Sequence, residues 1–139
     1  MKKIELLDFK IMGDERGSLV ALEQNKHIPF AIKRVYYIFG TQSEVARGFH
    51  AHRELVQAAV CVKGQCDILM DDGHSKQTVT LDSPAKGLLI GAMQWHEMHN
   101  FSDDCVLLVL ASDFYDEADY IRDYSIFLKE VDNANSSSK

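Results

Sequence analysis

A chain of 139 residues, 46% hydrophobic and 26% charged, suits one domain with a real core. Its net charge of −6, with 15 Lys plus Arg, argues against bulk nucleic-acid binding and against attraction to anionic membranes, while leaving room for a local basic pocket. Three cysteines without a C-x-x-C pair, a charged rather than apolar start (Met1-Lys2-Lys3-Ile4-Glu5) and no apolar run of spanning length point to a reduced, cytoplasmic chain.

In chain order, residues 4–12 read as an early strand, and Gly13-Asp14-Glu15-Arg16-Gly17 as a turn. Ser18 to Glu23 reads as a second strand, and Asn25 to Pro29 breaks it. Lys33 to Phe39 is β-branched and aromatic, hence a strand. Alternation places Arg34 and Tyr36 on one of its faces; Val35, Tyr37 and Phe39 share the other and read as the packing face. A loop over 40–46 leads to a strand carrying His50 and His52, and then to a buried strand, Val56 to Val62. Lys63-Gly64 turns the chain into Gln65 to Met70, and Asp71-Asp72-Gly73 is a hairpin turn before Ser75 to Leu81. Gly87 to Ile90, Trp95 to Met98 and Cys105 to Ala111 complete the series. Short strands between turns at this spacing predict an all-β sandwich or barrel. From Asp116 the apolar positions take helical spacing, with Asp116 and Glu117 suited to a helix N-terminus, so one C-terminal helix is expected. Residues 1–132 form one domain in this reading, and 133–139 a polar, frayed tail.

Two histidines two residues apart on a strand aim both imidazoles at one face. Gly48-x-His50-x-His52, four residues, Gln57, six residues, Gly64 has the spacing of the first cupin motif, with Gln where the metal-binding form has Glu. Gly91-Ala92-Met93-Gln94-Trp95-His96-x3-Asn100 occupies the place of the second. The pair resembles the cupin superfamily, which implies a jelly-roll barrel. His50, His52 and His96 offer three nitrogen ligands, but the neutral amide of Gln57 is a poor fourth for a divalent cation.

The resemblance goes further. Asp14-Glu15-Arg16-Gly17-Ser18-Leu19, Lys33-Arg34-Val35-Tyr36-Tyr37-Ile38-Phe39, Arg47-Gly48-Phe49-His50-Ala51-His52 and Trp95-His96-Glu97-Met98-His99-Asn100-Phe101 resemble, in the same order, the dTDP-4-keto-6-deoxyglucose 3,4-ketoisomerases. That likeness implies a metal-free isomerase without cofactor, dimeric and often with exchanged N-terminal strands. It implies a dTDP-linked 4-keto-6-deoxy sugar as substrate, in the making of deoxyamino sugars for surface glycans such as lipopolysaccharide O-antigen. The galacto-configured product is favoured, because the members giving it share Arg16 and His96.

Moving a carbonyl from C4 to C3 needs only proton transfers through an enediol, and an imidazole titrates in the range that serves both directions. His50 is the candidate acid–base with His52 as its partner, and Tyr36 is placed to hydrogen-bond a developing oxyanion. Arg16, Arg34 and Arg47 are candidates for the diphosphate, since guanidinium forks match phosphate oxygens. Arg47 has the wrong parity relative to His50 unless the chain bends at Gly48. Trp95 either stacks on thymine or sugar or belongs to the core, and His96 lines the sugar pocket. His27, His74 and His99 read as surface or structural, and Cys61, Cys66 and Cys105 as core thiols. The competing functions are a dTDP-sugar 3,5-epimerase, a metal-dependent cupin, and a cupin that binds a sugar nucleotide without reaction.

Overall fold

The structure, a computed structural model, describes residues 4–137. Its strands are β1 (Glu5–Asp8), β2 (Met12–Asp14), β3 (Gly17–Leu19), β4 (Arg34–Ile38), β5 (Arg47–His52) and β6 (Gln57–Lys63). There follow β7 (Cys66–Asp71), β8 (Lys76–Leu81), β9 (Lys86–Ile90), β10 (Trp95–His99), β11 (Val106–Ala111) and β12 (Tyr120–Ile121), then helix α1 (Tyr124–Ser137). One five-stranded sheet has the order β1-β9-β6-β11-β4, the other β12-β5-β10-β7-β8. The sheets face each other as a jelly roll but are not joined strand to strand, so the expected barrel is an open sandwich.

Side-chain parity builds three apolar layers. Between the sheets, Ala59, Leu88 and Leu107 from one meet Ile68, Met70 and Met98 from the other, all buried. The opposite parity of β6, Ala58 and Val60, packs outward under Phe9 and Ile28 from the N-terminal stretch. Beyond the second sheet, α1 lays Phe127 and Val131 over Ala51, Trp95 and Ile121. β6 is thus covered on both faces, which is why 57–61 are all buried and read as a continuous apolar run.

Three local readings change. On β4 the face carrying Arg34, Tyr36 and Ile38 points inward, while Val35, Tyr37 and Phe39 are 53%, 61% and 69% exposed, so the supposed packing face is the outer one. β4 is an edge strand with nothing over that outer face among the described residues. The helix starts at Tyr124 rather than near Asp116. Asp123 caps it, its Oδ1 accepting from the N–H groups of Ser125 at 2.8 Å and Ile126 at 3.2 Å. The residues before it make a short 3-10 turn, Glu117–Asp119, capped by Asp116, and then β12. The last turns of α1 occupy the stretch read as a polar tail, through Ser137. No helix among the described residues is long and apolar enough to cross a membrane.

Candidate active site

β5 and β10 set the site. Their register pairs His50 with His96 and Arg47 with Met98, but Gly48 with Glu97, leaving Phe49 as the extra residue of a β-bulge. Gly48 and Phe49 both take positive φ, +90° and +63°. A Cβ on Gly48 would lie 3.0 Å from the His96 carbonyl oxygen, so the bend is reserved for glycine by space as well as by conformation. The bulge reverses the parity upstream of it. Arg47 and His50 therefore face the same cavity, and Phe49 is turned out.

That cavity holds about 250 Å³ and is lined by Arg34, Tyr36, Arg47, His50, Tyr120 and Arg122, among others. A neighbouring hollow of about 220 Å³ shares Ile38 and Arg47 with it and continues along the 39–45 loop. The His50 ring packs edge-on against three others: His96 at 4.6 Å between centroids, Tyr120 at 5.0 Å and His52 at 5.1 Å. Burial first, then the neighbouring His52, hold the His50 pKa down to about 4, so the ring is a free base at neutral pH. His96 is fully buried behind it and held to about 3, again mainly by burial, with Nδ1 3.2 Å from the Gln94 carbonyl oxygen.

Behind the cavity wall a chain of hydrogen bonds fixes the second imidazole. Asp119 Oδ2 lies 3.1 Å from His52 Nδ1, and the same carboxyl accepts from the Glu54 and Leu55 N–H groups at 2.8 and 3.2 Å. An acceptor there places the His52 proton on Nδ1 and leaves Nε2 bare. Gln57 Nε2, 3.2 Å away, donates to it, and Gln57 Oε1 accepts from the Tyr36 hydroxyl at 3.0 Å. Burial keeps His52 below its ordinary pKa despite the carboxylate, and raises Tyr36 to about 12. Asp119, His52, Gln57 and Tyr36 form one oriented series ending in a phenol that keeps its proton.

The basic side chains divide. Arg34 stacks over Tyr36, 5.3 Å to the ring centroid, with a buried Nε that has no partner. Arg47 and Arg122 line the same cavity, and Arg122 is steadied by Glu117 through two bonds of 2.7 and 2.9 Å. Arg16 is elsewhere. It sits on the β2–β3 hairpin, 86% exposed and folded back onto Asp14, because the hairpin is paired to neither sheet. Trp95 also leaves the expected set. Odd positions of β10 face α1, so its ring packs on Tyr124 and Phe127, and its Nε1 donates to Glu97 at 2.9 Å.

Of the residues singled out from sequence, Arg34, Tyr36, Arg47 and His50 line the cavity, while His52 and His96 are buried and pack against His50 rather than lining it. The sequence reading missed Asp119, Tyr120 and Arg122, which lay inside the supposed helix, and it missed that Gln57 links Tyr36 to His52. Nitrogens of His50, His52 and His96 lie within 4.8 Å of one another, the geometry of a three-histidine ion site. The fit is poor: His52 Nε2 is already engaged by Gln57, and the amide supplies no carboxylate for the fourth position.

Residues 2–132 match the family model described as FdtA: WxcM-like, C-terminal. A TDP-4-oxo-6-deoxy-alpha-D-glucose-3,4-oxoisomerase from Aneurinibacillus thermoaerophilus is 58% identical over 94% of each chain. The crystal structure of a 3,4-ketoisomerase from Helicobacter canadensis superposes with a TM-score of 0.92 at 48% identity, covering 95% of this chain and 99% of that one. The ketoisomerase QdtA from Thermoanaerobacterium thermosaccharolyticum is 39% identical with a TM-score of 0.93, over 96% of both chains. It was solved as a histidine-to-asparagine variant in complex with TDP-4-keto-6-deoxyglucose.

Proposed function

The chain belongs to the FdtA family, and from that premise we propose that it is a sugar-nucleotide 3,4-ketoisomerase, converting a TDP-linked 4-keto-6-deoxyglucose to the 3-keto isomer. The observation that carries the reading is His50, an uncharged imidazole on the wall of a cavity that also holds three guanidinium groups. His50 removes the C3 proton, which the neighbouring carbonyl acidifies. The enediolate that forms is met by the Tyr36 hydroxyl, whose high pKa keeps it a donor. His50, now protonated, or a donor beside it returns a proton to C4. His52 serves from behind, as a fixed dipole that orients Gln57 and through it Tyr36. Arg34, Arg47 and Arg122 hold the diphosphate. No step calls on a metal or cofactor.

The galacto-configured product is part of the proposal, resting on the presence of Arg16 and His96. His96 backs the catalytic ring directly, so it can bias the face from which C4 is protonated. Arg16 requires a second subunit. The β2–β3 hairpin, unpaired to either sheet and carrying exposed Ile11, Met12 and Leu19, suits exchange with a partner chain, as does the bare outer face of β4. The proposal therefore includes a homodimer, acting in the cytoplasm, where three unpaired thiols persist.

One experiment tests the reaction: incubation with TDP-4-keto-6-deoxyglucose in deuterated buffer, followed by carbon NMR. The carbonyl is expected to move to C3, with deuterium entering at C4. A carbonyl that stays at C4 while deuterium enters at C3 and C5 would make the chain a 3,5-epimerase, and no exchange at all would leave a binding protein. The C4 configuration of the product decides galacto against gluco.

A further inference from the structure

All the chain's cysteines meet in one place, at the end of the sandwich away from the histidines. Cys61 is on β6, Cys66 opens β7, and Cys105 precedes β11. Each is buried, none is in a disulfide, and their three Sγ atoms lie within 4.8 Å of one another. The Cys61–Cys105 pair, 44 residues apart in sequence, stands at 3.7 Å between sulfurs.

The surrounding backbone holds this arrangement. The register of β6 on β11 slips here: Leu107 pairs with Cys61 but Val106 with Lys63, so Val62 is an extra, outward residue. Bulges of this kind aim side chains. The 63–65 turn locks onto the 102–104 turn, with Gln65 N–H donating to Ser102 Oγ at 2.9 Å and Ser102 N–H to the Gln65 carbonyl at 2.9 Å. Gly64, at φ +72°, leaves no room for a Cβ, which would strike Ser102, Asp104 and Cys105. Two interlocked turns and a bulge thus fix the cysteines from three separate segments.

We infer that Cys61, Cys66 and Cys105 form a three-sulfur site for a thiophilic divalent cation of the zinc type, clipping β6, β7 and β11 together. A trigonal ion with metal–sulfur bonds of about 2.3 Å spaces its sulfurs by about 4.0 Å. The observed 3.7 Å edge and the 4.8 Å limit on the others need only small adjustment to reach that. Soft sulfur donors select d10 ions over magnesium or calcium. Binding exchanges three S–H protons for three metal–sulfur bonds. A divalent ion then leaves one net negative charge, whereas a monovalent ion would leave two in an apolar surround that includes Ile68, Phe101 and Leu107. The Lys63 carbonyl, 3.1 Å from Cys61 Sγ, is an oxygen within reach of a fourth position.

The test is titration of the reduced full-length protein with Cd²⁺ as an optical stand-in for zinc. The expected result is a sulfur-to-metal charge-transfer band that saturates at one equivalent. It should be displaced by zinc and accompanied by a rise in melting temperature. Cys66→Ala should weaken binding by at least about 100-fold, while His50→Asn should keep the band, because imidazole nitrogens give none. Absence of the band at several equivalents would overturn the site in the unmodified protein, whether or not the variant folds. A band that persists in folded Cys66→Ala would do the same.

Discussion

The interior of the sandwich carries three ligand-grade side chains at each end, imidazoles at one and thiols at the other. β6 runs between them: Gln57 touches His52, and Cys61, on the same face four residues on, lies about 13 Å away along the strand. Each end is sculpted by one bulge, at Phe49 and at Val62. The ends differ in what surrounds the ligands. At the histidine end Gln57 and Asp119 engage His52, Tyr36 donates to Gln57, and His50 opens on a cavity lined with arginines. At the cysteine end the neighbours are apolar and the turns close over it. Burial therefore has opposite uses. It keeps imidazoles uncharged beside a cavity that a substrate can enter, and it gathers thiols away from that cavity.

The largest test of that contrast is His50→Asn. The side chain keeps a similar shape, so the fold should persist by circular dichroism, while kcat falls about 10²–10⁴-fold. Activity within a few-fold of the parent would remove His50 as the proton carrier.

Much of the histidine end could be read from spacing. Period-2 alternation alone puts His50 beside His52 and Arg34 beside Tyr36, and cupin spacing adds His96. Arg47 follows only on condition of a bend at Gly48, because the bulge that supplies the bend shows in the pairing of β5 with β10 and not in alternation along β5 alone. Asp119 was hidden for a different reason. Ala118, Ile121 and Tyr124 fit helical spacing, but Tyr120 and Ile121 gain more by pairing with His52 and Ala51 at the open edge of β5. Trp95 stays open between ligand and core, and Val35 falls on the wrong side, because alternation tells which residues share a face without telling which face is covered.

The next largest effect belongs to the residues behind the ring. Asp119→Asn leaves an amide that can donate as well as accept, so His52 is free to carry its proton on Nε2 and collide with the Gln57 amide. Tyr36 then loses its fixed acceptor. The expected loss is about 10–100-fold in kcat with little change in KM. Tyr36→Phe should give a loss of the same order, and the double variant less than the product of the two. Fully multiplicative losses would mean that the series does not act as a unit.

A smaller effect separates the two ends by pH. His50, held to about 4, must be uncharged to accept a proton, so kcat/KM should fall on the acid side near pH 4 rather than near 6.5. The same depression makes stability pH-dependent. Between about 6.5 and about 4 the unfolded chain binds a proton at His50 that the folded chain refuses, and His96 extends the window to about 3. The unfolded state binds more protons there, so stability is lost as pH falls through that range. Chemical denaturation at pH 7 and pH 5 measures it. A midpoint unchanged between them would contradict the buried neutral imidazoles.

The smallest effect is at the cysteine end. Cys105→Ala removes one buried sulfur beside Cys61 and should cost about 1–2 kcal/mol, for the lost burial and the small cavity left. In ion-free buffer that appears as a drop of several degrees in melting temperature. The slope of stability against pH between 7 and 5 should be unaltered, because the groups that set it sit at the other end of β6. If Cys105→Ala instead flattened that slope, the two ends would be energetically coupled through β6, and the division between a proton-handling end and a sulfur-lined end would fail.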